Sequence, residues 1–313
     1  MKKMVNKVHL EGRLYQHSLE KKVTGPQSKK PGTEYIQGNI EVATDEDVTN
    51  IVSVHFSYIT EVTSTGKTDS RFKVLSDIID GKYLTCMADG AEVATKISVD
   101  TSIGVNDFYT DRQVDENGDP TLVSAKRNEG GFIRVVNNLK ESDKDRNYFN
   151  ADIVITGVTR KEADEDRGLP EKGIIKGAIF DFRNAVLPVE FSVTNPKAID
   201  YFEGLEATAK SPVFTSIKGT QISEVVKKTI TVEGAFGDEV REVENNRKDW
   251  VIYWAQSEPY DFDDESTITK AELAKAMTDR QTMLAEVKQR YMDYKASATP
   301  TKAAATGGDT FEF

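Results

Sequence analysis

Cysteine is nearly absent from this chain of 313 residues. Cys86 stands alone, so no internal disulfide can form and packing has to hold the fold; the thiol reads as a buried or half-buried filler rather than a nucleophile. Histidine is as scarce. His9, His17 and His55 are the only three, and they fall in strand or loop contexts without metal-ligand spacing. Phosphate loop, nucleophile elbow and paired-cysteine motifs are missing too, so no enzyme, metal or cofactor is expected. The one obvious acidic cluster, Glu162, Asp164, Glu165 and Asp166, adjoins Arg167-Gly168-Leu169-Pro170 and reads as a solvated loop. Long apolar runs are lacking, which excludes a membrane-spanning helix. Met1-Lys2-Lys3 leads into an alternating strand rather than the continuous apolar core of a secretory signal, so the expected location is the cytoplasm.

What the chain does have is alternation. Ile36, Gly38, Ile40 and Val42 fall on one side of a pleat, with Tyr35, Gln37, Asn39 and Glu41 on the other, as in a strand buried on one face. Val52, Val54, Phe56 and Tyr58 repeat the pattern. The pair then recurs roughly 135 to 140 residues later as Ile174 to Ile179 and Leu187 to Ser192, with Val-x-Phe-Ser in both copies. Upstream, Val8 to Gly12 answers Ile153 to Gly157. Downstream, the helix-like run Phe72 to Gly81 answers Ala198 to Leu205, and alternating runs end in Phe132 to Val136 and in Trp250 to Trp254. Three strands, a short helix and more strands, twice over, predict a mainly β chain of tandem OB-fold-like five-stranded barrels. The expected domains are 1–143 and 148–258, followed by a C-terminal helix over 266–296 and a flexible linker and tip over 297–313. A length of 313 residues suits two domains that each bury a core.

Net charge is −11, which by itself argues against a nucleic-acid binder. Its distribution is uneven. Residues 1–40 carry Lys2, Lys3, Lys7, Arg13, Lys21, Lys22, Lys29 and Lys30 against Glu11, Glu20 and Glu34, while acid gathers at Glu258 to Glu265 and at Asp309 and Glu312.

The opening Asn6-Lys7-Val8, an aliphatic Leu10, then Gly12-Arg13-Leu14 resembles the start of bacterial and phage single-stranded DNA-binding proteins. In that family this strand opens an OB-fold whose groove tracks the single strand. The C-terminus adds to the resemblance: an Ala, Thr, Ser, Pro and Gly linker ends in Asp309-Thr310-Phe311-Glu312-Phe313, and the family uses such an acidic aromatic tip to recruit replication and repair partners. The resemblance implies that Asp309, Phe311, Glu312 and Phe313 dock a polymerase, helicase, primase or nuclease, with Phe313 in an apolar pocket and its carboxylate on a basic rim. The bland reading of the same residues is a plain disordered tail.

Binding without sequence choice needs exposed aromatic faces with cations nearby. On the outer positions of the first copy these are Arg13 and Tyr15, Tyr35 and Gln37, and His55. Lys21, Lys22, Lys29 and Lys30 sit in a polar loop that either closes over phosphates or only keeps the chain soluble. In the second copy the outer positions are Lys176, Phe180 and Phe182, with Arg160, Lys161 and Arg183 at strand ends. The two phenylalanines either stack on DNA or pack against a neighbouring domain. Asp115 to Pro120 reads as a hairpin tip, since a calcium loop requires a terminal bidentate glutamate that is missing. Beyond residue 267, Thr269-x-x-Glu272 is a capping box, and Leu273, Met277, Leu284, Val287, Tyr291 and Tyr294 recur as a helical stripe.

The expected function is that of a non-enzymatic single-stranded DNA-binding protein, phage-encoded, serving DNA replication, recombination and repair. The alternative is a structural or adaptor protein, such as a virion component, built from duplicated β-domains.

Overall fold

Alternation fixes the inner wall of a first barrel. In the computed structural model, which describes residues 4–63, 65–116, 118–163, 170–232, 239–262 and 268–298, Ile36, Ile40 and Val42 of β3 (Glu34–Ala43) point inward and are fully buried. Val52, Val54 and Phe56 of β4 (Ile51–Thr60) meet them. Gly38 lies on this side at a φ of +127°, and a Cβ there would come 2.2 Å from the Ser18 carbonyl oxygen, so only glycine fits. The expected alternation fails at Tyr58. The register shifts between Ile36 and Gly38, and this β-bulge turns Ile59 inward and leaves Tyr58 46% exposed.

Closure requires a cycle of pairings. The opening strand β1 (Asn6–His17) pairs antiparallel with β3, β3 with β4, and β4 runs parallel to β6 (Pro120–Val135). β6 pairs with β5 (Lys96–Val114), which returns to β1. A short β2 (Glu20–Val23) edges β3. Between the third and fourth barrel strands lie α1 (Ser70–Ile79), capped by Asp69 and plugging the core with Leu75 and Ile78, and the one-turn α2 (Cys86–Asp89). After α3 (Asp143–Arg146) the same cycle recurs in β7 (Asn147–Lys161), β8 (Lys172–Phe180), β9 (Val186–Val193), β10 (Val213–Val232) and β11 (Glu239–Ala255). Here α4 (Pro196–Gly204) supplies Ile199 and Phe202. Five strands, a parallel pair between the third and fifth, and a helix before the fourth are OB topology, present twice.

The two barrels join through their first strands. Residues 6–10 of β1 run antiparallel to 147–151 of β7, so Val8 faces Phe149. Bulges at Tyr15 and Thr156 fall at matching places in the two strands. That alignment corrects the sequence match of Gly12 with Gly157. Gly12 is required because a Cβ would strike the Ala43 carbonyl at 2.0 Å, whereas Gly157 sits by its bulge in open space.

Two asparagines clasp the joint in the same way from either side. Asn6 bonds both backbone groups of Ile103, at 2.9 Å each, and reaches the Phe180 carbonyl of the other barrel at 3.1 Å. Asn147 bonds both backbone groups of Gln221, at 2.7 and 3.2 Å, and reaches Thr44 Oγ1 of the other barrel. Each therefore ties its own barrel's fourth strand to the end of the partner barrel's second strand.

One element breaks this pseudo-symmetry. α5 (Lys270–Ala298) starts with the expected capping box, Thr269 Oγ1 accepting from the Glu272 N–H at 3.2 Å. Leu273 and Ala276 cover a second apolar cluster of Met4, Val154, Ala178, Phe180, Val186, Phe214, Phe262 and Ile268. Further along, buried Arg280 bonds Asp107 of β5 at 2.8 Å and the Val186 carbonyl at 3.2 Å. Of the stripe read from sequence, Leu273, Leu284, Val287 and Tyr291 are half-buried, whereas Met277 and Tyr294 are 44% and 70% exposed, because the buried line runs through Ala276 and Arg280 instead. Among the described residues no helix is long and apolar enough to cross a membrane.

Candidate nucleic-acid interface

In each barrel the last two strands form a long hairpin that crosses to the other barrel. β5–β6 brings Ser124 and Lys126 against β8 and β9, and β10–β11 brings Gln221 to Ser223 and Lys248 to Trp250 against β3 and β4. The contact is fixed by buried amides. Asn128 and Gln221 exchange side-chain hydrogen bonds at 2.8 and 3.0 Å, Asn128 donates to the Ser53 carbonyl, and Asn50 holds Gln221 and Ser223. Two crevices of about 440 and 410 Å³ lie here, the first lined by Asn128 and Gln221 and both sharing Lys126, Lys248, Asp249 and Trp250.

The second crevice is basic and aromatic. Lys161, Lys172 and Lys248 ring Trp250, itself packed on Phe149 and Phe191 at ring distances of 5.5 and 6.3 Å. Lys172 pairs with Asp249 at 2.9 Å. Burial works against the charge on Asp249, yet bonds from Ser192, Lys172 and the Trp250 N–H hold its carboxyl below the usual range. Lys161 and Lys248 have no ion pair among the described residues. Lys126, from the first barrel, closes the crevice with its ammonium over both Phe191 and Trp250, and burial pushes it down to about 7 against the pull of Asp249 and Glu190. In the first crevice His55 bonds Asn39 at 2.9 Å, and burial, then Arg127, lowers its pKa, with Glu129 opposing.

The residues expected from sequence scatter around these crevices. His55 and Lys161 lie within them, and exposed Lys176 lines a third opening that Lys126 shares, 3.5 Å from Glu190. Tyr35 packs on Tyr58 with ring centres 4.7 Å apart and planes tilted by 36°, beside half-buried Gln37, and Tyr15 is the bulge residue of β1. Arg13 faces elsewhere, into a pocket with Lys96 and Arg146, where its Nη1 is buried without a partner. Lys21 and Lys22 are paired with Asp80 and Glu20, while Lys29 and Lys30 stay exposed. Phe182 is 75% exposed under the Arg183 guanidinium, at the turn bordering a cleft of about 760 Å³ that also holds Arg71.

Two expectations are corrected. Phe180 is fully buried under α5, so it offers no open face for a base; the neighbouring element covers it. Arg160 is held by Asp200, Glu203 and Glu171 at 2.6, 2.8 and 3.4 Å. The hydrogen bonds it donates to Glu203 and then Asp200 raise its pKa, and its charge is already neutralised. Asp309, Phe311, Glu312 and Phe313 lie outside the described residues.

Sequence reasoning missed Lys126, Arg127, Lys172, Lys248 and Trp250. A signal was there: Lys126-Arg127 and Lys248-Asp249-Trp250 interrupt the final alternating strand of each copy. Only the crossing hairpins give those interruptions a shared location.

A family model described as YorF matches residues 4–290. No curated protein matches the chain. Among solved structures, a deletion mutant of the single-stranded DNA binding protein from Thermus aquaticus is similar over 85% of this chain and 100% of that one, with 12% identity and a TM-score of 0.44.

Proposed function

The chain belongs to the YorF family, and we propose that it binds single-stranded DNA in the crevices between its two barrels. The supporting observation is the setting of Trp250. An aromatic face ringed by Lys161, Lys172 and Lys248, with Lys126 above it, joins a stacking surface to cations that neutralise phosphates, the pairing that sequence-tolerant binding needs. The same OB surface in the first barrel offers His55, Arg127, Tyr35 and Tyr58. Crevices walled by strands of both barrels suit unstacked single bases rather than a duplex. In this reading the protein is not an enzyme; it covers and protects single strands during replication, recombination and repair, and Asp309 to Phe313 recruit partner enzymes.

A second reading, a structural or adaptor protein, is favoured by the net charge of −11 and by the ion pairing of Lys21, Lys22, Arg160 and Lys172. Titration of a labelled single-stranded oligonucleotide at two salt concentrations, with duplex as control, separates the two. Tight binding that weakens with salt by about 0.7 in log–log slope per neutralised phosphate supports the first. Loss of all binding at low salt leaves the second.

A further inference from the structure

Lys126 belongs to the first barrel, yet its ammonium lies on the face of the second. It stops 4.4 Å from the Phe191 ring centre and 4.9 Å from that of Trp250, and it donates to the Glu190 carbonyl. The three openings between the barrels all meet at this side chain. A lysine half-buried between two barrels, with aromatic rings beneath it, holds its proton less firmly when no carboxylate pairs with it directly. Asp249 is engaged by Lys172 and Ser192, and the Glu190 carboxylate lies by Lys176, so no carboxylate is within ion-pairing distance of Lys126 among the described residues.

The charges around it leave a gap of one sign. From β7, β8 and β11, Lys161, Lys172, Lys176 and Lys248 surround the crevices, against Glu190 and Asp249. From the first barrel, Glu41, His55 and Arg127 line the neighbouring opening. An incoming anion is what this arrangement lacks.

Resting on the reading of these crevices as a single-strand site, we propose that Lys126 binds a backbone phosphate by taking up a proton. It is an uncharged amine in the free protein at mildly alkaline pH and becomes an ammonium when a phosphodiester settles beside it. The proton comes from solvent, and no bond between heavy atoms forms or breaks. The burial that lowers its pKa to about 7 acts in the free state, and the phosphate charge reverses it. His55 does not mimic this behaviour at pH 8, because its own pKa lies below the ordinary 6.5.

The test is a calorimetric titration of the full chain with oligothymidylate at pH 8, in buffers of differing ionisation enthalpy. The observed heat should depend on the buffer with a slope of roughly half a proton or more taken up per strand. That slope should vanish in Lys126→Met, and also in Lys126→Arg, whose guanidinium stays charged. Tight binding by the unaltered protein with no buffer dependence overturns the proposal, as does an undiminished slope in Lys126→Met. If either variant fails to fold, the slope of the unaltered protein decides. Absence of binding is a different result, and it removes the single-strand reading together with the proposal.

Discussion

Two aromatic side chains differ in what they touch. Half-buried Trp250 lines the crevice among lysines while its ring packs on Phe149 and Phe191, and fully buried Phe180 lies beneath α5. Trp250→Ala should weaken binding of a single strand by about 1 to 3 kcal/mol, the range measured for base–aromatic stacking. Phe180→Ala should instead cost about 3 to 5 kcal/mol of stability through the cavity it leaves, with the affinity of the surviving folded protein unchanged. Anisotropy titrations alongside urea unfolding distinguish them. Lys126 carries the pH dependence. Its folded pKa of about 7 lies below that of the unfolded chain, near 10.5, so the folded state sheds its proton first as pH rises. Stability is lowest below pH 7, where burial of the ammonium is felt in full, and grows between about 7 and 10.5. The melting temperature of the unaltered protein, minus that of Lys126→Met, should therefore increase across that window.

At the level of elements, the clasps decide how firmly the crossing hairpins are held. Asn147 is buried and makes three hydrogen bonds linking β10, β7 and the end of β3. Removing its amide leaves the Gln221 N–H buried without its partner, while the Gln221 carbonyl keeps the bond from Asn50 at 3.0 Å, so Asn147→Ala should destabilise the fold by about 1 to 3 kcal/mol. Asn147→Asp should fare little better, since it keeps the acceptor for the Gln221 N–H but loses the donor to its carbonyl. Chemical denaturation midpoints check both. Much of the element level was legible beforehand. The capping box at Thr269 and the short helix closed by Gly81, at a φ of +72°, announce themselves by local chemistry, which depends on neighbours a few residues apart; the second helix instead runs through Gly204, and the left-handed residue after it is Glu206. The bulge that exposes Tyr58 and the burial of Phe180 were not legible, because each depends on a partner strand or helix distant in sequence.

For the whole molecule the question is whether two barrels unfold as one. The principal apolar core is continuous across both, running from Leu10 and Phe56 through Phe149 to Phe191 and Phe202. β1 and β7 share a sheet, and α5 spans from the second barrel to Asp107 of the first. A cooperative unit of this kind should melt in a single calorimetric transition whose van't Hoff and calorimetric enthalpies agree. Two resolved transitions would show that the joint is weaker than its buried contacts imply.

By itself the sequence determined the barrels. Period-two alternation, glycines where backbones close up, a helix between the third and fourth strands, and a second copy of the same order are local or repeated signals, and they suffice for tandem OB topology. The tertiary structure alone decided where the charges and aromatic faces meet. Lys126 and Trp250 lie 124 positions apart in the chain, on different barrels, and each sits in a strand whose pattern says only that one face is buried. Their meeting depends on the length and direction of two hairpins that cross the barrel joint, and on the pairing of β1 with β7 that sets the angle between them. Likewise, the sequence showed which residues carry charge. Folding decided that Arg160 spends its charge on three carboxylates while Lys161, the next residue, faces the open crevice.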